Sequence, residues 1–211
     1  MDNFRITKIF ETGATDDPLD EILVLAQEIN ADVNCDLIRQ VHSYIIRVFI
    51  GDNPEFKASN TEYHNLRHTC SVVLAAVRIF HGLTINNRKF SARTLEQGIV
   101  SAYFHDTGLL LKAHDTTELG ARYTINHEKR SIRFLSSYLS DIEIDKDFTN
   151  GCATIIDCTN LEQDISQVQF DSDEQWVASC VIASADIIGQ MADRYYLEQL
   201  PMLYRERRIG G

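Results

Sequence analysis

The sequence predicts an all-α protein, and three observations carry that prediction. Only three prolines and ten glycines occur in 211 residues, few for a fold built from many tight turns. Apolar residues recur at helical spacing along most of the chain. Alternation of the strand type never persists for more than a few residues.

The elements follow in order. Residues 17–31 open with Asp16-Asp17-Pro18, a cap and a first-turn proline, and then set Leu19, Ile22, Leu23 and Leu25 at helical spacing. A second helix is expected over 34–50 from Leu37, Ile38, Val41, Ile45, Val48 and Phe49, with Gly51-Asp52-Asn53-Pro54 ending it. Residues 56–63 read as a connection. Further helices are predicted over 65–81, 92–106, 126–140, 144–159, 173–194 and 195–207, with polar loops at 113–124 and 160–172. No internal repeat or linker-like shift in composition occurs. The expected organisation is therefore one compact helical bundle, in which N-terminal helices within 1–55 pack on a core of 56–211.

Thirty-one acidic against 20 basic side chains give a formal charge of −11. Without clustered Lys and Arg to displace counterions, the chain is not expected to bind polymeric nucleic acid. The start Met1-Asp2-Asn3-Phe4-Arg5 lacks the layout of a signal peptide, and no apolar stretch approaches the roughly 20 residues that span a bilayer. A cytoplasmic protein without a membrane partner is expected. Cys35, Cys70, Cys152, Cys158 and Cys180 are odd in number and form no Cys-x-x-Cys pair, which suits buried free thiols rather than disulfides or a zinc ribbon. The acidic stretch with Glu162, Asp164, Asp171, Asp173 and Glu174 reads as a solvated surface.

Chemistry concentrates in four places. In Tyr63-His64-Asn65-Leu66-Arg67-His68 the two histidines are four apart, so on a helix both imidazoles would project from one face, toward one ion or one substrate. Such an H-N-x-x-H string arises by chance only about 0.01 times in a chain of this composition. His105-Asp106 closes an apolar helix carrying Leu95, Ile99, Val100 and Tyr103; adjacent helical side chains diverge, so the pair can converge on a metal only by straddling it near the helix end. His114-Asp115, by contrast, lies in a polar stretch where Asp115 or Thr116 caps a turn. Asp186 stands among small apolar residues, where exposure, protonation or a cation would each relieve its burial. Gln190 and Asp193 extend the same face, as part of a pocket or as a polar stripe. His127 opens a helix and points inward with Phe134 and Leu135, either as a core histidine bonded to a carbonyl or as a metal ligand. His42 and His81 carry no partner pattern.

The order His68, His105-Asp106, Asp186 resembles that of the HD superfamily of metal-dependent phosphohydrolases, over residues 60–205. Tyr63-His64-Asn65-x-x-His68 is similar to the signature of cyclic-nucleotide phosphodiesterases within that superfamily. Asn126-His127-Glu128, followed by Ser131 and Leu135, is similar to the helix start that holds a second metal in binuclear members. Residues 185–193 resemble the final-aspartate helix of bacterial members. The resemblance implies one or two divalent ions (Mn, Fe, Mg, Zn or Ni) on His68, His105, Asp106 and Asp186, with Asp106 bridging to a second ion on His127. A metal so held lowers the pKa of bound water toward neutrality. His64 would then act as general acid, and Arg67, Gln190, Lys112, Lys129 and Arg130 could meet phosphate or remain solvated. The implied activity is hydrolysis of a small phosphorylated substrate, a cyclic nucleotide or another nucleotide phosphodiester. A ligand-binding HD module and a di-iron oxygenase on the same scaffold are the competing readings.

Overall fold

In the computed structural model, residues 18–191 and 196–210 are described; Asp16, Asp17, Asp193 and the side chain of Gln190 lie outside that description. Eight α-helices occur among the described residues, with no strand, so the fold is all-α and single-domain as the patterning predicts. They are α1 (Leu19–Ile29), α2 (Cys35–Phe49), α3 (Leu66–Ile85), α4 (Ala92–Phe104), α5 (His127–Asp141), α6 (Lys146–Asp157), α7 (Asp173–Met191) and α8 (Tyr196–Gly210). Three 3₁₀ segments, Thr107–Leu109, Gly120–Asn126 and Ile165–Gln167, punctuate the connections.

Helix α3 lies at the centre, packed against α7, α1 and α4, while α4 also meets α6, α7 and α2. Its buried face includes Val72, Val73, Ala76, Val77 and Phe80. Residues of α1 and α2, notably Ile22, Ile38, Val41 and Ile45, are fully buried in the same cluster. Each fully buried aliphatic side chain contributes about 1.5–3 kcal/mol, so the N-terminal helices are bound into the core rather than appended to it. One sequence expectation fails here. Among the described residues, helix α3 alone is long and apolar enough to cross a membrane. The sequence concealed this because Thr69, Ser71, Arg78 and His81 interrupt the run, yet helix length counts the whole segment. Its packing on three neighbours accounts for its apolarity as that of a core helix.

All five thiols are free as expected, and three of them, Cys70, Cys152 and Cys158, are buried, while Cys35 and Cys180 are half-buried. Burial pushes the Cys152 thiol upward, so it behaves as a small apolar core group.

Candidate metal centre

Helix starts and ends place each side chain. Asn65 takes the N-cap of α3, its side-chain oxygen accepting the His68 N–H at 3.2 Å, so the helix begins at Leu66. His64 therefore lies ahead of the helix, which corrects the expectation that His64 and His68 share a helical face. The imidazoles nevertheless meet, with ring centres 5.6 Å apart, because the cap folds the chain back. His105 caps the C-terminus of α4, and Asp106 leads into the 3₁₀ turn Thr107–Leu109. This is the straddling arrangement required of an adjacent pair. Asp186 comes from α7, and His127 is the first residue of α5.

Four donor atoms converge. His68 Nε2 and His105 Nε2 are 3.4 Å apart, and each lies 3.2 Å from Asp106 Oδ2. Asp186 Oδ1 lies 3.2 Å from His68 Nε2 and 3.7 Å from His105 Nε2. His105 and Asp106 are almost wholly buried, His68 is 8% exposed, and the Asp186 side chain is 23% exposed, on the open side. His105 Nδ1 donates to the Ala102 carbonyl at 2.8 Å, which fixes the tautomer and turns the Nε2 lone pair toward the cluster. His127 follows the same rule: Nδ1 donates to the Thr124 carbonyl at 2.6 Å, and Nε2 stands 3.5 Å from the second Asp106 oxygen, Oδ1.

This cluster fits a divalent cation. Two neutral imidazoles would face each other lone pair to lone pair at 3.4 Å, and Asp106 Oδ2 is buried without a hydrogen-bond partner. A positive charge between them resolves both problems, and a donor set of two nitrogens and two carboxylates suits Mn, Fe, Zn, Ni or Mg. Without metal, protons must take that part. Burial lowers the His68 pKa, yet Asp106 and Asp186 outweigh it and hold the ring at about 9; His105 is raised in the same way. For Asp106, burial works upward, but His105 and His64 hold it well below the carboxylate range.

Sequence reasoning missed one buried partner, Glu206 of α8. Its Oε2 accepts a hydrogen bond from His64 Nδ1 at 2.6 Å, and its Oε1 accepts the Tyr63 N–H at 2.7 Å. Burial would raise the Glu206 pKa, but these bonds keep it below the ordinary glutamate value. In sequence Glu206 is an acid between Arg205 and Arg207 with nothing to mark it.

The other expected residues separate. Arg67 is half-buried and lines, with His68, Ser71 and Gly189, a cavity of about 150 Å³. Lys129 is exposed. Arg130 turns to the backbone, Nε donating to Gly108 O at 2.6 Å and Nη2 to Leu110 O at 3.0 Å, because the 3₁₀ turn leaves those carbonyls open. His114 is exposed, and Asp115 accepts the Lys112 N–H as a turn residue. His42 is a core histidine bonded to the Tyr103 hydroxyl, and His81 faces Glu28.

Fold and site together define an all-α protein with a buried two-histidine, two-carboxylate cluster and a third histidine beside it. The chain belongs to the Npun_R2479-like family, whose family model matches residues 52–211. That span contains every residue of the cluster and leaves the whole of α1 and α2, both packed into the core, outside it. Neither the curated proteins nor the solved structures include a match to the chain.

Proposed function

We propose that this protein is a divalent-metal-dependent phosphohydrolase of the HD type, acting on a small phosphate ester such as a nucleotide phosphodiester. The observation that carries the reading is the convergence of His68, His105, Asp106 and Asp186 around the orphaned Asp106 oxygen. One or two divalent ions held there would supply an acidified water as nucleophile and offset phosphoryl charge. The chain's own residues supply the rest. Carbonyls of Ala102 and Thr124 keep His105 and His127 in the tautomer that presents Nε2. Asp106 directs Oδ2 to the first cluster and Oδ1 toward His127, so it is the residue that would help hold both ions if two were bound. Glu206 holds the Nδ1 proton of His64, so Nε2 is the atom that can pass a proton to the leaving oxygen. Arg67 lines the cavity beside His68 and would meet a phosphate oxygen there.

The test uses protein stripped with EDTA and reloaded with Mn²⁺, assayed against a phosphoester panel. Wild type should turn over at least one ester. His68→Ala and Asp106→Ala should lose both metal and activity, whereas His64→Ala should keep the metal and lose about 10²–10⁴ in rate, the usual worth of a general acid. No turnover by protein shown to hold metal would overturn the reading.

A further inference from the structure

A second cavity, of about 500 Å³, shares no lining residue with the one beside His68 and takes no part in the chemistry above. Its size falls within the roughly 300–1,000 Å³ of small-molecule sites. One wall is aromatic. Tyr44 of α2 stacks on Tyr138 of α5 with centres 4.0 Å apart and planes at 23°, and Phe56 lies 4.4 Å from Phe134. All four side chains line the cavity.

Among the charged residues of the remaining lining, cations outnumber acids, in an acidic protein. Arg47, Lys112, Arg130 and Arg133 stand against Glu55 and Asp141, four cations to two carboxylates, on a chain of −11. Arg130 is committed to the Gly108 and Leu110 carbonyls. Arg47 and Arg133 are exposed and form no ion pair with a described residue. Tyr138 is 6% exposed, and its hydroxyl is buried with no hydrogen-bond partner, a costly arrangement for a polar atom unless a ligand completes it. Burial, joined at Tyr44 by the Glu55 carboxylate, pushes both phenols up to about 12, so each hydroxyl keeps the proton it would donate.

We propose that this cavity binds a nucleotide-class ligand, a planar base carrying a phosphate, with the ring against the aromatic wall and the phosphate between Arg47 and Arg133. Tyr138 then donates its hydroxyl to the ligand. Stacking alone would take any aromatic ring and arginines alone any anion; their combination in one cavity selects a molecule with both. Thr107 and Gly108 also line the cavity, directly after Asp106, so an occupant bears on the segment that carries two side chains of the metal centre. The site is thus positioned as an effector site, and it requires none of the metal chemistry.

Calorimetric titration of the full chain in EDTA, with AMP, adenosine and inorganic phosphate as probes, tests this. AMP should bind one to one, with adenosine and phosphate each at least about tenfold weaker. Arg47→Ala/Arg133→Ala should weaken AMP by about tenfold or more, and Tyr138→Phe by about threefold, with melting temperatures showing that both variants fold. His68→Ala should bind AMP as wild type does. The proposal falls if AMP does not bind, if phosphate alone binds as tightly, if either cavity variant binds unchanged, or if His68→Ala abolishes binding and so locates AMP at the metal centre.

Discussion

Glu206 is the residue on which the role of His64 can be decided. It touches no cluster atom; it acts through His64, by holding the Nδ1 proton at 2.6 Å. A group that only supports the fold would affect all substrates alike, whereas a group that readies a general acid matters in proportion to the leaving group's need for a proton. Glu206→Gln is therefore expected to slow cleavage of esters with alkoxide leaving groups by about 10–100-fold, the usual cost of losing an outer-shell partner. Bis-p-nitrophenyl phosphate, whose leaving group departs without protonation, should lose far less, and metal content should not change. Equal loss on both substrates would reject the assignment. At this scale the sequence was legible where residues announce themselves by type and order, as His68, His105, Asp106 and Asp186 do. It was silent on Glu206, which meets His64 from 142 positions away and has no local pattern.

The 3₁₀ turn Thr107–Leu109 and the start of α5 form the element that carries Asp106 against His127. Ser131 Oγ donates to His105 O and accepts the Gly108 N–H at 2.8 Å, and Arg130 ties down Gly108 O. A Cβ on Gly108 would overlap the His127 carbonyl and stand 2.9 Å from Arg130 Cβ. Backbone cannot swing aside as a flexible side chain does, so Gly108→Ala must push α5 away and His127 with it. The expected cost is about 1–3 kcal/mol, or a melting temperature lower by about 2–12 °C, together with loss of any second metal while the first is retained. Thermal unfolding and metal stoichiometry measure both; unchanged values in both would refute the packing argument. Periodicity made every one of these helices legible, but caps decided where they end. Helix α3 runs to Ile85, beyond the expected 81, because Gly82 is tolerated and Thr84 bonds back to Phe80 O at 3.0 Å. Helix α6 starts at Lys146 rather than 144 because Asp145 accepts the Phe148 N–H.

For the whole molecule, the buried cluster ties stability to pH, because a divalent ion bound there would compete with the protons it holds. Burial opposes charge on His68, but Asp106 and Asp186 raise its pKa in the folded protein to about 9, against about 6.5 for an unfolded histidine. A folded pKa above the unfolded one means that the folded state binds the extra proton. The stabilisation is fully present below pH 6.5 and is lost as pH rises through 9. A divalent ion held by the cluster would replace those protons, so its binding would release them and tighten over the same window. The EDTA-treated protein is accordingly expected to melt at progressively lower temperature from pH 6.5 to 9, while Mn²⁺-loaded protein holds its melting temperature or gains. At a metal concentration one hundred times Kd the gap should reach about 5–10 °C. Melting curves at pH 6.0, 7.5 and 9.0 with EDTA or Mn²⁺ decide the matter. Parallel curves would mean that the cluster neither stores the proton nor exchanges it for a cation. His68→Ala supplies the internal control, since it removes one of the two raised imidazoles and a metal donor together and should narrow the gap between the two curves.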